Sequence, residues 1–318
     1  MFKRSFVYFL LPMVVCLFLV FLFERGRHLD DKQLKIGISY MTLNNDFYKT
    51  LNAEIEKTMG VETSRFFVRD AELDAGKQSQ QIDFFVEQQV DVLVVNPVDS
   101  HSPQVLASLN RAKAAGIRII VVDSPISSEA SVDVTIVSDN YQAGVLLAEN
   151  LLKTVSEAKI LILKHQNALS ARERIQGFLD TIEQYPAYKV VAERETLGQT
   201  EESMTQVLAA LQDGPSFDVV VSLNDRAALG ALAALEDQRY TGQMLIYGVD
   251  GSPDIKALLP LKNALQGSVA QSPIQMGQKV SEVIQQMVSH QEYESNYAIP
   301  VQVLTRENRR EFPVKGWQ

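Results

Sequence analysis

The chain has 318 residues, a formal net charge of -9 and a single cysteine. This length is enough for two domains with separate hydrophobic cores. The acidic balance argues against binding of DNA or RNA, whose phosphates require a basic surface, and one cysteine excludes an intrachain disulfide framework.

The most apolar stretch of the chain is residues 5–23, SFVYFLLPMVVCLFLVFLF. It is close to the roughly 20 residues that cross a bilayer as a helix, and Lys3 and Arg4 before it favour a cytoplasmic N-terminus. It predicts one N-terminal transmembrane helix that anchors the following chain on the periplasmic or extracellular face of the membrane. A cleaved signal peptide is an alternative, although Gly26 is the one small residue shortly after the run. A lipoprotein modified at Cys16 is a third, for which the preceding residues match poorly.

Strands and helices alternate along the remaining chain. Apolar and β-branched runs predict strands at residues 35–40, 65–69, 90–95, 118–123, 132–137, 159–163, 189–193, 217–223, 245–250, 265–270 and 300–305. Amphipathic segments predict helices at residues 46–59, 141–155, 171–184, 201–211, 227–237 and 275–287. Several strands are apolar without alternation, which is typical of parallel sheets covered by helices on both faces. So many strands favour two doubly wound α/β lobes over one sheet.

Polar residues follow many of the predicted strands, at the sheet edge where parallel α/β proteins bind ligands. Asp123 and Asp250 each end an apolar strand, and Asn45 precedes the rings of Phe47 and Tyr48. This combination suits a polyol, because hydroxyls both donate and accept hydrogen bonds and the apolar face of a sugar packs on an aromatic ring. Other strand-end carboxylates are expected to serve turns and helix caps: Asp99, Asp139 and Asp225.

Catalytic and metal-binding patterns are weak. The four histidines are scattered without metal-ligand spacing, and the chain has no G-x-S-x-G, H-E-x-x-H or phosphate-binding loop. Paired carboxylates such as Asp123 and Asp250 could do acid–base chemistry, but the sequence does not place them relative to each other. We therefore expect no enzyme, no catalytic residue, no metal and no cofactor.

Eight segments in order give the chain a family resemblance: TLNNDFY (42–48), VVNPVDS (94–100), VVD (121–123), SDN (138–140), SARERIQGF (170–178), LNDRAALGAL (223–232), GVDGSPD (248–254) and SVAQSPIQMG (268–277). Over residues 34–305 it resembles the periplasmic sugar-binding proteins of the ribose-binding type, whose two-lobed body also occurs in LacI-type repressors. The resemblance implies a type I periplasmic binding protein fold with three hinge crossings, near residues 138–140, 269–271 and 299–301. It divides the chain into an N-terminal anchor or signal (1–30), a first lobe (34–138 with 271–299) and a second lobe (139–270 with 300–312).

The resemblance also implies a set of ligand-binding residues from both lobes and the hinge: Asn45, Phe47, Tyr48, Asp123, Arg174, Asn224, Asp250 and Gln271. The polar members would hydrogen-bond sugar hydroxyls, and the two rings would pack on the sugar. Two positions depart from the ribose-binding pattern. Ser124 stands where those proteins carry an arginine, and Leu197 and Gly198 stand where they carry a second-lobe ring. Both changes imply another pentose, a hexose, a polyol or a sugar-like signal.

The function implied is capture of a monosaccharide or polyol outside the cytoplasm and its delivery to the membrane permease of an ABC transporter. The alternative is a membrane-anchored sensor that presents its ligand-bound form to a histidine kinase or chemoreceptor. An interaction protein that has lost its ligand is a further alternative. A repressor is disfavoured, because the N-terminal residues are too apolar for a DNA-binding helix-turn-helix and the body is acidic.

Overall fold

The computed structural model describes residues 33–313 and 315–318. The predicted transmembrane segment at residues 5–23 lies outside these residues. Within the described residues, no helix combines the length and the apolar character needed to cross a bilayer.

The first lobe is built around one parallel six-stranded sheet in the order β11-β5-β4-β3-β1-β2. Its strands are β1 (Leu34–Tyr40), β2 (Ser64–Asp70), β3 (Val92–Val95), β4 (Arg118–Asp123), β5 (Val134–Ser138) and β11 (Asn296–Ile299). Its helices are α1 (Asp46–Met59), α2 (Ala75–Glu87), α3 (Pro103–Ala114) and α9 (Pro273–Val288). Helices cover both faces of the sheet, so that β3 and β4 are almost fully buried.

The second lobe repeats this arrangement, with the strand order β12-β10-β9-β8-β6-β7. Its strands are β6 (Ala158–Lys164), β7 (Tyr188–Glu195), β8 (Val219–Ser222), β9 (Leu245–Asp250), β10 (Leu265–Ala270) and β12 (Gln302–Thr305). Its helices are α4 (Asn140–Thr154), α5 (Leu169–Ile182), α6 (Thr200–Asp213), α7 (Asp225–Asp237) and α8 (Pro253–Leu258), followed by a 3-10 turn at Arg309–Glu311. The edge strand β12 runs antiparallel to β10, and the other pairs are parallel. The prediction of two doubly wound α/β lobes is confirmed.

The chain passes from one sheet to the other three times. It leaves the first sheet after β5, returns after β10, and crosses again between β11 and β12. The predicted strand at residues 300–305 is therefore wrong in part, because β11 ends at Ile299 in one sheet and β12 begins at Gln302 in the other. Pro300 lies at this crossing, where its missing N–H interrupts no ladder.

Candidate functional site

A small cavity of about 40 Å³ lies between the two lobes, at the carboxyl ends of both sheets. In each sheet the strand order reverses beside the first strand, which places a crevice at the switch point where open α/β sheets bind ligands. The structure places the predicted ligand residues around this one cavity: Asn45, Phe47, Tyr48, Asp123, Arg174, Asn224, Asp250 and Gln271.

The first lobe contributes an amide and two rings from the start of α1. Asn45 is the N-cap of this helix, and its Oδ1 accepts a hydrogen bond from the backbone N–H of Phe47 at 3.0 Å. The ring of Tyr48 stacks on Tyr40 with ring centroids 5.7 Å apart, and Phe47 meets Tyr48 edge-on. Capping therefore occupies one acceptor site of Asn45, and all three residues line the cavity.

Asp123 ends β4 and is held from its own lobe. Its Oδ2 accepts hydrogen bonds from the Tyr48 hydroxyl at 3.0 Å and from Asn96 Nδ2 at 3.3 Å. Asn96 is fully buried and also accepts a hydrogen bond from the Met41 backbone N–H. These contacts fix one carboxylate oxygen of Asp123 and leave the other facing Arg174 across the cavity, at 4.0 Å.

Arg174 on α5 is the cation of the site and links several elements. Its Nε donates to Asn140 Oδ1 at 2.9 Å, one terminal nitrogen donates to the Leu223 carbonyl at 3.0 Å, and the other donates to Gln271 Oε1 at 3.2 Å. The side chain is buried. Three neutral acceptors and a distant Asp123 thus hold a charged group rigidly at the boundary between the lobes.

Close packing of α4 against α5 sets the position of Arg174. A Cβ atom on Gly144 would lie 1.9 Å from the Arg174 backbone oxygen, and one on Gly177 would lie 2.1 Å from the Tyr141 oxygen. Only glycine permits this approach, since any side chain at either position would collide with the backbone of the facing helix. The two glycines therefore bring the turn of α5 that carries Arg174 to its place.

Asp250 ends β9, and Gln271 directly follows the neighbouring strand β10. Gln271 Nε2 donates to Asp250 Oδ1 at 2.7 Å, and the Gln271 backbone N–H donates to the Asp250 carbonyl. Behind them the carboxylate of Asp225 accepts from the Ser268 hydroxyl at 2.6 Å and from the Ser252 backbone N–H at 2.7 Å. Asp225 thus supports the strand ends and does not line the cavity. The cap of its helix is Asn224.

Burial dominates the electrostatics of these carboxylates. It raises the pKa of Asp123 above its ordinary value, although Arg174 and the hydrogen bonds from Tyr48 and Asn96 oppose the shift. Burial and then the neighbouring Asp225 charge raise the pKa of Asp250 well above its ordinary value, again against Arg174. A ligand that donates hydrogen bonds to both carboxylates would replace the water they have lost.

The backbone is strained at the same positions. Asp123 has a φ of 63° and Asp250 a φ of 141°, and Leu197 on the cavity rim has a φ of 51°. Non-glycine residues in this region cost about 1–3 kcal/mol each and cluster at ligand sites. Two of the strained residues are the carboxylates that face the cavity from opposite lobes.

Of the two departures from the ribose-binding pattern, Leu197 and Gly198 line the cavity and Ser124 does not. Ser124 is fully buried, and its Oγ accepts a hydrogen bond from the Ser170 backbone N–H of the other lobe at 3.2 Å. Leu197, at the position where ribose-binding proteins carry an aromatic ring, is 40% exposed and lines the cavity. Asn224 caps α7 through its Oδ1 and donates from Nδ2 to the Gly198 carbonyl, so its side chain also organises the site wall.

His165 is a cavity residue that the sequence did not single out. Its ring is buried, and neither ring nitrogen has a hydrogen-bond partner among the described residues. Glu195 Oε1 lies 3.5 Å from Nδ1, which is too long for a well-formed hydrogen bond. Burial lowers the pKa of the imidazole. No sequence signal marked His165, because many residues that follow strands lie in ordinary loops.

The lobes touch each other beside the cavity. The Ser100 backbone N–H of the first lobe donates to the Asn167 carbonyl of the second at 3.0 Å, and the Leu169 N–H donates to Ser100 Oγ at 3.2 Å. Together with the Ser124–Ser170 contact, these bonds define a closed arrangement. Among residues 33–313 and 315–318, no cluster of three or more His, Cys, Asp or Glu side chains is arranged to hold a metal ion.

Comparisons with known proteins agree with this architecture. The chain is 28% identical over 278 residues to the ribose import binding protein of Bacillus subtilis, covering 86% of this chain and 88% of that protein. It is 27% identical to the D-xylose-binding periplasmic protein of Haemophilus influenzae, over 83% of this chain and 80% of that protein. An ABC transporter solute binding protein of Bacillus halodurans, solved with bound myo-inositol, superposes with a TM-score of 0.80 at 26% identity, covering 88% of this chain and 96% of that one.

The sequence-family model of the periplasmic binding protein domain matches residues 36–292 of this chain. The chain therefore belongs to the periplasmic binding protein family, with the type I fold of two parallel-sheet lobes. The resemblance seen in the sequence is confirmed.

Proposed function

We propose that this protein captures a neutral sugar or polyol between its lobes outside the cytoplasm and delivers it to an ABC transporter. The observation that carries the proposal is the approach of Asp123 from the first lobe and Asp250 from the second to one buried cavity. Each carboxylate has an oxygen that can accept ligand hydroxyls, and Asn45 and Gln271 add amides. Phe47 supplies an apolar ring for the face of a sugar.

The ligand we propose is uncharged. An anionic group in the cavity would meet Asp123 and Asp250. Arg174, the one Lys or Arg that lines the cavity among the described residues, already donates to three protein acceptors. A cationic ligand would satisfy the carboxylates but would lie close to the Arg174 guanidinium. Hydroxyl groups satisfy all of these groups without adding charge.

We further assign His165 to the ligand. Neither nitrogen of the buried imidazole has a hydrogen-bond partner among the described residues, although Glu195 Oε1 lies 3.5 Å from Nδ1. One nitrogen can therefore donate to a sugar hydroxyl and the other can accept from one. The cavity of about 40 Å³ offers room for only a few water molecules, so a sugar ring enters when the lobes separate. The three crossings between the sheets serve as the hinge of the predicted lobes, 34–138 with 271–299 and 139–270 with 300–312.

Delivery to a transporter is favoured over presentation to a sensor kinase. The proteins similar to this chain include a ribose import binding protein and an ABC transporter solute binding protein. We propose that residues 5–23 direct the chain across the cytoplasmic membrane and anchor it there, so that the lobes stand on the periplasmic or extracellular face. The permease is then the proposed partner.

A thermal-shift screen of the purified full-length protein tests the proposed function. Neutral pentoses, hexoses and polyols are compared with sugar phosphates and uronic acids of matched ring structure. A neutral ligand at a hundred times its Kd should stabilise the fold by about 2.7 kcal/mol, because it binds only the native state. The proposal is wrong if no neutral ligand raises the melting temperature, or if an anionic one does so more strongly.

A further inference from the structure

Residues 316–318, which we call the terminal segment, contact the candidate site although none of them belongs to the predicted set of ligand residues. It follows Phe312, which is buried in the core of the second lobe. Trp317 is only 9% exposed and belongs to the apolar cluster of the first lobe. Its ring meets Phe47 edge-on, with ring centroids 5.4 Å apart at 85°. The segment thus starts from one lobe and packs its aromatic ring on the other.

Gln318 binds the backbone of two predicted ligand residues. Its Nε2 donates to the Asp250 carbonyl at 3.1 Å and also to the Gln271 carbonyl. The Ser272 hydroxyl donates to the Gln318 backbone oxygen. These contacts join the end of β9 to the crossing that follows β10, where the chain leaves the second lobe.

Lys256 on α8 fixes the segment to the second lobe. Its Nζ donates to the Gly316 carbonyl at 2.7 Å and to Gln318 Oε1 at 3.1 Å. The side chain is largely buried, and burial lowers its pKa. Hydrogen bonds from a charged group are about twice as strong as neutral ones, so this attachment is firm.

We propose that Trp317 and Gln318 are positioning residues of the interlobe site and stabilise its closed form. Gln318 holds the strained backbone of Asp250 and the start of the crossing at Gln271, while Trp317 braces Phe47 from the opposite lobe. Separation of the lobes would break the contact between Trp317 and Phe47 and expose both rings to water. The effect on ligand binding rests on the proposed function, whereas the effect on closure does not.

Trp317 is the only tryptophan in the sequence, so its emission reports on this contact directly. In the ligand-free full-length protein we expect blue-shifted emission and weak acrylamide quenching. Gln318→Ala should shift the emission to the red and increase quenching, because the segment loses its attachment to the strand ends. Solvent-exposed emission in the wild-type protein would overturn the proposal.

The kinetic arm uses Trp317→Ala, with Trp317→Phe to restore an aromatic ring and Tyr293→Ala as the control at an exposed ring far from the site. With a sugar identified by the screen, Trp317→Ala should raise the dissociation rate about tenfold while the association rate changes little, since variants of one interface differ mostly in dissociation. Trp317→Phe should recover most of the loss, and Tyr293→Ala should match the wild type. An unchanged dissociation rate in Trp317→Ala contradicts the proposal.

Closure is measured separately by small-angle scattering without ligand. Trp317→Ala should have a larger radius of gyration than wild type and Tyr293→Ala, with circular dichroism confirming that each variant is folded. If Trp317→Ala does not fold, Gln318→Ala provides the comparison and should have the larger radius of gyration. If no sugar binds the wild-type protein, the proposed function fails, while the scattering and quenching results still decide the role of the segment. Equal radii for all variants would overturn it.

Discussion

Asp250 combines burial, a negative charge and a positive φ at one position. Because its folded pKa is raised, the native state binds more protons than the unfolded state between the two pKa values. The contribution of Asp250 to the free energy of unfolding of the ligand-free protein is therefore lost as pH rises through its folded pKa. The charge that we propose binds the ligand therefore destabilises the ligand-free protein.

Asp250→Asn removes this charge while keeping nearly the same shape and an acceptor for Gln271 Nε2. At pH above the raised pKa, we expect urea unfolding to show a more stable ligand-free variant, and the advantage should shrink as pH falls below it. Calorimetry should show sugar affinity reduced by about 1.5–3 kcal/mol, the value of a hydrogen bond to a charged group. Asp254→Asn, at an exposed position nearby, should change neither quantity appreciably. A variant that is less stable at every pH, or that binds sugar as the wild type does, would contradict this account of Asp250.

His165→Phe tests the imidazole that the sequence did not single out. Phenylalanine has a similar shape but removes two buried nitrogens that lack partners among the described residues. The ligand-free protein should keep or gain stability, and sugar affinity should fall by about 0.5–1.5 kcal/mol, as for loss of a neutral hydrogen bond. His101→Phe, at an exposed histidine, is the matched control and should bind as the wild type does. Unaltered affinity in His165→Phe would remove this residue from the site.

At the scale of elements, the contact between α4 and α5 decides where Arg174 stands. Gly144→Ala favours the helix by about 1 kcal/mol in intrinsic propensity. We nevertheless expect a net loss of about 1–3 kcal/mol in the free energy of unfolding, because the new Cβ would overpack the contact, 1.9 Å from the Arg174 oxygen. Sugar affinity should fall as well, since the turn carrying Arg174 must shift. Gln142→Ala on the exposed side of α4 is the control, and a stabilised Gly144→Ala variant would refute the argument.

Most elements with strong apolar patterns could be predicted from sequence, but the helix Pro103–Ala114 was missed although its buried face carries Val105, Leu106 and Leu109. The strands at 118–123, 245–250 and 265–270 and the helix at 46–59 were predicted with the bounds that the structure shows. The helix Ala75–Glu87 was not predicted, because its buried face includes Gln78 and Gln81, which hydrogen-bond the first sheet. The short edge strand Asn296–Ile299 was also missed, since it is half exposed and carries little apolar signal.

The same distinction holds at the site. Asp123 and Asp250 end strands and Gln271 follows one, so the rule that parallel sheets bind ligands at their carboxyl ends places them together. No such rule predicts Trp317, because it lies beyond the last strand. It contacts Phe47 only when both lobes are folded and packed together. Its role depends on packing between distant parts of the chain, which local sequence patterns do not encode.

On the scale of the whole molecule, the two sheets have equivalent strand orders, and the carboxyl ends of their strands meet at one cavity. Neither lobe alone supplies both carboxylates, so the site exists only when the lobes meet. In the proposed function, ligand binding and closure are therefore coupled: the ligand-free protein already adopts the closed form that Trp317 and Gln318 stabilise, and a sugar shifts the population further towards that form by binding it better than the open form.

Calorimetric titration of one neutral sugar into the wild-type protein, Asp123→Asn and Asp250→Asn tests the central claim most directly. We predict one sugar per chain and a weaker Kd in both variants, because each carboxylate acts on the same ligand from its own lobe. Two sugars per chain, or an unchanged Kd in either variant, would contradict a single site shared by the lobes.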